Sequence, residues 1–201
     1  MKCYVTPSSP FGRKVRIAAA ETGQADSIQW EFITPAQRTE SIPGINPLGK
    51  IPVAVLDDGA AVYDSPVLCA MIDSTAKDRR LIPADGPAKW KALTLEALGD
   101  GLGESVVALS QELAKPDDKR AQAVVDRHAG KVKAALAWCD ANAGGFADPP
   151  GIGEIAVCCA MGYMELRDAV PGWKQAYPAL AKWYDAVNKR PAFADSAPPK
   201  G

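Results

Sequence analysis

Residues 8–23 have the sequence SSPFGRKVRIAAAETG, which is typical of a helix that begins directly after a strand. Ser9 before Pro10 is a favourable helix start, because serine accepts a hydrogen bond from the first turn and proline needs no backbone donor there. Apolar side chains then recur at helical spacing until a glycine stops the pattern. Because residues 2–6 are β-leaning, the stretch predicts a strand at 2–6 followed by a helix at 10–21.

Strand and helix signals continue to alternate up to about residue 80. Asp58-Gly59 between two apolar runs predicts a tight turn, because this pair supplies the positive φ that a hairpin needs. The other predicted elements are a strand at 28–34, an irregular stretch with room for one short helix at 35–46, hairpin strands at 51–56 and 61–63, and a helix at 66–76. The order βαβαββα predicts a small mixed sheet with helices packed on its faces.

The second part of the chain has a different composition. A linker rich in proline and glycine at 80–86 is followed by helical patterns alone, at 88–114, 117–142, 152–167 and 177–189, and by a loose tail at 197–201. The predicted fold class is therefore α/β plus all-α, with one domain at 1–79 and an all-helical domain at 87–201.

Charge and hydropathy exclude several classes of function. The 23 basic and 24 acidic side chains of the 201 residues nearly cancel, and neither half is basic, so a role on nucleic acid or on a membrane surface lacks electrostatic support. No apolar run approaches the ~18 residues of a membrane helix, and residues 1–5 begin a strand rather than a signal peptide. We expect a cytosolic protein whose partners are neither nucleic acid nor membrane.

The cysteine and histidine content argues against several kinds of site and reaction mechanism. Five cysteines without a C-x-x-C motif suit neither a zinc site nor a disulfide framework, so no metal site is expected. Cys158 and Cys159 lie in an apolar helical run, where free cysteine behaves as a small hydrophobic residue. The single histidine, His128, lies on a polar helical stretch and leaves little basis for a Ser-His or Cys-His mechanism.

Two Ser-Pro helix starts are candidate anion sites. Ser9-Pro10 and Ser65-Pro66 each follow a predicted strand, so both helix N-termini should lie at the same edge of the sheet. Such an N-terminus presents unpaired N–H groups and about half a positive charge, and two of them could hold two anionic groups of one ligand. Ordinary helix caps are the alternative at each position. Asp64 beside Ser65 would suit the α-ammonium and α-carboxylate groups of an amino acid.

Residues 46–52, NPLGKIP, lie between the two helix starts. Proline at the beginning of a strand is tolerated only where it need not donate to the ladder. With a cis Ile51–Pro52 bond, the N–H and C=O groups of Ile51 would turn outward, and an extended peptide could pair with them like an added strand.

Three motifs, in this order and spacing, resemble bacterial glutathione S-transferases: SPFGRKVR at 9–16, NPLGKIPV at 46–53 and YDSP at 63–66. The resemblance continues through GIGEIA at 151–156 and WYDAVNKRPAFADSAP at 183–198, and so covers nearly the whole chain. It implies a thioredoxin-like N-terminal domain, an all-helical C-terminal domain, a cytosolic homodimer and glutathione as cosubstrate. One departure is Gly151, which replaces the usual serine or threonine cap while Glu154 keeps the acidic partner.

The resemblance also implies roles for particular residues. Ser9 falls where serine-type members keep the hydroxyl that contacts the glutathione sulfur. Ile51 and Pro52 match the pair whose backbone holds the cysteinyl unit, with the proline cis. Asp64 and Ser65 match the acidic-serine pair at the γ-glutamyl end.

Further binding residues follow from the same resemblance. Lys50 matches a basic position that can approach the glycyl carboxylate, with Gln37 or Arg38 as candidate helpers. Phe11 is a candidate binding residue because of its position and not because of the resemblance: on the first helix it would face the start of the long helix, across the cleft where a small electrophilic substrate would lie between the domains. Because position 9 is not cysteine, the resemblance does not extend to the glutathione-dependent disulfide reductases and lyases of the superfamily.

A serine can activate a thiol without a base. Lowering a thiol pKa of about 8.5 by roughly 1.5–2 units corresponds to ~2–3 kcal/mol. A hydrogen bond to a charged group supplies ~1.5–3 kcal/mol, and a helix N-terminus adds ~0.3–1 kcal/mol. Ser9 is therefore the expected thiolate partner, with Ser8 and Tyr4 as its rivals. The predicted function is a glutathione S-transferase acting on a small electrophile; the alternative is a non-catalytic glutathione-binding or protein-partner module.

The remaining prominent side chains carry structural expectations. The basic residues of the first helix are expected on its outer face or at a dimer rim: Arg13, Lys14 and Arg16. Asp100 and Glu104 either reach the cleft or form a solvent-facing acidic stripe. Four tryptophans are expected to pack in the core or between the domains: Trp90, Trp138, Trp173 and Trp183.

Overall fold

The computed structural model describes residues 1–199 and places the strands and helices in the predicted order. The first part contains β1 (Lys2–Val5), α1 (Pro10–Glu21), β2 (Gln29–Phe32), α2 (Pro35–Ser41), β3 (Val53–Val55), β4 (Ala61–Val62) and α3 (Ser65–Ser74). The second part contains only helices: α4 (Gly86–Leu113), α5 (Gln122–Asn142), α6 (Ile152–Leu166), α7 (Trp173–Ala176), α8 (Pro178–Val187) and α9 (Pro191–Asp195). The predicted fold class, a small mixed sheet with helices followed by a helical part, is confirmed.

The four strands form one sheet in the order β2-β1-β3-β4. β1 runs parallel to β2 and antiparallel to β3, and β3 runs antiparallel to β4. Cys3 and Val5 of β1 are fully buried, and α1 packs on α3 and on α6. The predicted Asp58-Gly59 turn joins β3 to β4, and Gly59 has the φ of +88° that this turn requires.

In the helical part, α4 and α6 cross at very short distance. A Cβ on Gly99 would lie 2.6 Å from the backbone of Ala156 and Val157, so only glycine fits at this crossing. Residues 152–164 of α6 are all buried, and they include Cys158 and Cys159 as small hydrophobic side chains. The interior of this part is therefore built on α6, as its apolar sequence predicts.

The expectation that four tryptophans pack in the core or between the domains is correct for two of them and wrong for the other two. Trp173 is buried and stacks edge-on against Tyr184, and Trp183 stacks in the same way against Phe146. Trp90 and Trp138, in contrast, are 65% and 48% exposed. Their apolar rings lie on the outer faces of α4 and α5 rather than in the core.

The segment between α3 and α4 is held by a buried carboxylate. Asp73, near the end of α3, accepts hydrogen bonds from the backbone N–H groups of Leu81 and Ile82 and from the side chain of Arg80. Leu81 and Ile82 are themselves buried. The proline- and glycine-rich segment is thus packed against the fold, and the division of the chain at 80–86 stays a prediction.

Several elements differ from the sequence expectation. The stretch 117–142 is a 3₁₀ turn at Asp117–Lys119 followed by α5, and β3 is shorter than the predicted strand at 51–56. The short helices α7 and α9 were not predicted. Of the predicted tail, residues 200–201 lie outside the described residues.

The departure at Gly151 behaves as expected, since Glu154 accepts hydrogen bonds from the N–H groups of Gly151 and Ala147 at 3.1 and 2.9 Å. Within residues 1–199, no helix combines the length and hydropathy of a membrane span.

Candidate functional site

The start of α1 lies at the end of β1 that faces the other candidate segments. Ser9 is the N-cap of α1, and its Oγ accepts a hydrogen bond from the N–H of Gly12 at 3.1 Å. Because this bond uses the oxygen as acceptor, the hydroxyl hydrogen of Ser9 remains available for a further acceptor. The side chain of Ser9 is half-buried, so a ligand can reach it.

The segment before β3 presents an open backbone. The Ile51–Pro52 bond is cis, and neither the N–H nor the C=O of Ile51 has a hydrogen-bonding partner within residues 1–199. Asn46 holds this segment through two hydrogen bonds: its amide donates to the C=O of Lys50 at 2.9 Å, and its Oδ1 accepts from the N–H of Leu48 at 3.0 Å. Asn46 is buried and is a site-supporting residue that the sequence reasoning did not single out.

The third segment is the start of α3. Helix α3 begins at Ser65 itself, Asp64 occupies the cap position, and no side chain there accepts a hydrogen bond from the first turn. The expectation that Ser65 caps this helix is therefore wrong. The backbone N–H groups of Ser65 and Val67 have no partner among the described residues, as at an open helix N-terminus, and the Asp64 side chain is exposed beside them.

Strand register brings the three segments together. Tyr4 pairs with Val53 and Ala54 pairs with Val62, so the end of β1, the start of β3 and the end of β4 lie side by side. The Ser9 hydroxyl, the Ile51 backbone and the start of α3 consequently share one edge of the sheet. The edge offers, in order, a hydroxyl donor, an unpaired strand segment and an open helix N-terminus.

Two basic side chains lie at the far end of this edge. Lys50 is exposed, and Arg38 donates through Nε to the C=O of neighbouring Gly49 at 3.3 Å. Gln37, the other candidate helper, is engaged in a capping box, because its Oε1 accepts from the N–H of Thr34 at 2.9 Å. Arg38 is thus the candidate helper that contacts the Lys50 loop.

Phe11 lies on α1 at the boundary with α4 and α6. A Cβ on Gly103 would lie 3.4 Å from the Phe11 ring, so this ring contacts α4 directly. The three helices α1, α4 and α6 leave only a narrow, closely packed recess here, without room inside it for a water molecule. It is lined mainly by Pro10, Phe11, Lys14, Asp100, Gly103 and Cys159.

The expectation for the basic residues of α1 is wrong for Arg13 and Lys14. Arg13 is 2% exposed, and its guanidinium donates to Asn188 Oδ1 at 2.9 Å and to the C=O of Phe193 at 3.0 Å. Lys14 is 1% exposed and faces α4. Both cations point into the molecule and join α1 to the helical part. Arg16, in contrast, is half-buried, and its guanidinium packs over the exposed ring of Phe32 on β2.

The Lys14 ammonium is bound by two carboxylates of α4. It donates to Glu96 Oε1 at 3.0 Å and to both oxygens of Asp100 at 2.8 and 2.7 Å. Burial raises the pKa of Glu96 and of Asp100, and the Lys14 charge offsets only part of that shift. Asp100 is therefore not part of a free acidic stripe, while Glu104 is exposed.

Two family models and a curated relative match this chain. The glutathione S-transferase N-terminal domain model matches residues 8–75, and the C-terminal domain model matches residues 122–186. The uncharacterized GST-like protein YibF of Escherichia coli (strain K12) is 30% identical over the full length of both chains.

Two similar crystal structures are of bacterial proteins. A glutathione transferase family member from Pseudomonas fluorescens Pf-5, solved with bound glutathione, is 36% identical, with a TM-score of 0.91 and 98% of each chain covered. A glutathione S-transferase from Methylobacillus flagellatus KT, with GSH bound, is 36% identical, with a TM-score of 0.92 over 98% of this chain and 99% of that chain. Since the likeness spans the whole chain and both domain models match, the chain belongs to the glutathione S-transferase family.

Proposed function

We propose that this protein is a serine-type glutathione transferase, which activates the glutathione thiolate for attack on a small electrophile. The observation that carries the proposal is the Ser9 hydroxyl at the N-terminus of α1, with its oxygen bonded to Gly12 N–H and its hydrogen free. The glutathione bound in the related Pseudomonas and Methylobacillus structures supports the choice of cosubstrate.

An extended tripeptide matches the three segments in order. The cysteinyl unit pairs with the open N–H and C=O groups of Ile51, as an added strand does. The γ-glutamyl carboxylate binds at the N-terminus of α3 near Ser65, and its ammonium pairs with Asp64. The glycyl carboxylate extends toward Lys50, with Arg38 beside it.

In this arrangement the thiol ionises without a protein base. Ser9 donates its hydroxyl hydrogen to the sulfur, and the partial positive charge of α1 lies behind it. Together these effects supply the ~2–3 kcal/mol that ionisation near neutral pH requires. The thiol proton leaves to solvent, and a sulfur lone pair forms the new bond to the electrophilic carbon, whose leaving group departs to solvent as an anion with the electron pair of the broken bond. Phe11 forms part of the wall on which that electrophile lies.

The proposal also covers the location, the assembly and the domain division of the whole protein. We place it in the cytoplasm as a homodimer that acts in detoxification, with domains at 1–79 and 87–201. The apolar side chains of Val67 on α3 and Trp90 on α4 are exposed at 50% and 65%, which supports a subunit surface there. Analytical ultracentrifugation of the full chain tests the dimer, and a monomer at micromolar concentration would contradict it.

Turnover of an electrophilic arene with glutathione tests the catalytic proposal. Ser9→Ala removes a hydrogen bond to a charged sulfur, so kcat/KM should fall about 10- to 100-fold near neutral pH. Ser9→Thr retains a hydroxyl and should restore most of the activity, and Ser8→Ala is the matched control with no loss. Because Ser9 also caps α1, its loss costs ~1 kcal/mol of stability, and the assays are run well below the melting temperature.

Two results would contradict the proposal. Unchanged turnover in Ser9→Ala would remove Ser9 from the mechanism. Glutathione binding without turnover over a broad panel of electrophiles would instead favour a non-catalytic binding module with the same fold.

A further inference from the structure

Helices α1 and α4 are joined by a ladder of three contacts. The Phe11 ring lies against Gly103, and the Lys14 ammonium binds Asp100 and then Glu96. Phe11 and Lys14 are three residues apart on α1, and the three α4 positions are spaced by three and four residues, so each set occupies one face of its helix. Residue numbers rise on α1 as they fall on α4, and the contacts therefore fix one register of the two helices where they meet.

Lys14 is the central contact of this ladder, and its environment is specific. Its side chain is 1% exposed, against 6% for Glu96 and 19% for Asp100. The ammonium nitrogen lies within hydrogen-bonding distance of three carboxylate oxygens, at 3.0 Å on Glu96 and at 2.8 and 2.7 Å on Asp100. Ser9 lies five residues earlier on the same helix, which is about 7.5 Å along the axis.

We propose that Lys14 is a positioning residue for the transferase reaction: its bonds to Asp100 and Glu96 fix the first turn of α1 against α4. This inference rests on the proposed function. Through that turn, Lys14 sets where the Phe11 ring and the Ser9 hydroxyl, with the sulfur bound to it, lie relative to α4. Lys14 touches neither substrate in this arrangement and acts through the helix that carries those two residues.

A direct electrostatic role of Lys14 on the thiol does not fit the surrounding charges. One ammonium faces two carboxylates, and the charges of Asp64 and Glu104 act on Asp100 as well. Cys69 of α3 and Cys159 of α6 are further titratable neighbours, and their buried thiols are neutral because burial raises their pKa. The cluster is therefore net negative and opposes a thiolate, so its contribution is geometric.

Two substitutions keep the charges of the cluster and change the geometry of its side chains. They therefore distinguish an effect of the position of α1 from an effect of the Lys14 charge. Lys14→Arg replaces a compact ammonium by a planar guanidinium, which cannot reproduce the same three bonds in a buried site. Asp100→Glu moves the carboxylate by one methylene, and Asp100 is exposed enough to accommodate it. The matched controls are Lys91→Arg on the exposed face of α4 and Asp118→Glu in the exposed turn before α5.

The experiment combines steady-state kinetics in both substrates with ultraviolet titration of the bound glutathione thiol. For Lys14→Arg and Asp100→Glu, we expect kcat/KM for the electrophile to fall at least about 10-fold, which corresponds to ~1.4 kcal/mol of lost transition-state stabilisation. KM for glutathione and the pKa of the bound thiol should match those of the two controls.

Each other result overturns the inference. Kinetic constants equal to the controls would show that the contacts only stabilise the fold, and a lower melting temperature alone would not save the proposal. A shifted thiol pKa would show that these contacts act on the ionisation of the sulfur and not on its position relative to α4. If Lys14→Arg fails to fold, Asp100→Glu decides. Absence of glutathione binding or of thiol ionisation in the unsubstituted protein would overturn the proposed function, and this inference with it.

Discussion

The crossing of α4 over α6 allows a sharp test on a single helix. A Cβ on Gly99 would lie 2.6 Å from the carbonyl carbon of Ala156 and from the nitrogen of Val157. Both atoms are backbone, so Gly99→Ala can be accommodated only if the two helices move apart. Gly101 is on the same helix and has no atom within 4 Å of the corresponding position. Gly101→Ala is therefore the matched control.

The two variants should change stability in opposite directions. Overpacking costs about 1–3 kcal/mol, and we take the upper end for Gly99→Ala because backbone cannot rotate aside. Alanine gains about 1 kcal/mol over glycine in a helix, which leaves a net loss of about 2 kcal/mol. Gly101→Ala keeps the helix gain without a clash, so the two variants should differ by about 3 kcal/mol.

Urea unfolding followed by circular dichroism measures this difference, with the free energy obtained by linear extrapolation. Fluorescence is recorded in parallel, because the comparison requires that both probes report one transition. If Gly99→Ala were as stable as Gly101→Ala, the helices could not cross at the distance described. The crossing also matters for the site, because α4 carries the carboxylates that hold Lys14.

Three further predictions concern buried ionisable groups. Burial alone would raise the pKa of Glu21, but hydrogen bonds from Arg79 and Arg190 outweigh it and hold that pKa below 4.5. The ionised Glu21 therefore contributes fully to stability above pH 4.5, and this contribution is lost as the pH falls further. On acidification, the free energy of unfolding should consequently fall more in the unsubstituted protein than in Glu21→Gln. Burial raises the pKa of Cys3 and Cys139 to about 12 and that of Cys159 to about 11. All five cysteines are buried, so none should react with a disulfide reagent at pH 8 before unfolding, and rapid labelling of any one would contradict the fold. Asp73→Ala leaves the buried N–H groups of Leu81 and Ile82 without their acceptor and should cost about 2–4 kcal/mol in urea unfolding, whereas Asp118→Ala should cost almost nothing.

Local signals predicted α1 well and α3 less well. The Ser9-Pro10 start and the Gly23 stop gave the bounds of α1, because capping and stopping depend on neighbouring residues. Helix α3 begins one residue earlier than Ser65-Pro66 suggested. Proline is tolerated at any position of a first turn, since none of those N–H groups has an intrahelical acceptor, so a Ser-Pro pair alone does not identify the cap.

The buried cations of α1 could not be predicted in this way. Lysine and arginine are rarely buried unless paired, and here the partners are distant in sequence. Lys14 bonds to a carboxylate 82 residues away and Arg13 to an amide 175 residues away. Spacing along one helix carries no information on such partners. Asn46 was missed for a related reason, because its bonds to the Lys50 loop depend on the backbone conformation of residues 46–50.

The pKa of the glutathione thiol in the complex tests the central claim most directly. It is measured by ultraviolet titration of the bound thiolate in the unsubstituted protein and in Ser9→Ala. A hydrogen bond from Ser9 and the N-terminus of α1 should place this pKa roughly 1.5–2 units below that of free glutathione. Ser9→Ala should return it most of the way to the free value. A bound thiol that ionises no more easily than in water, or equally easily in both proteins, would contradict the account.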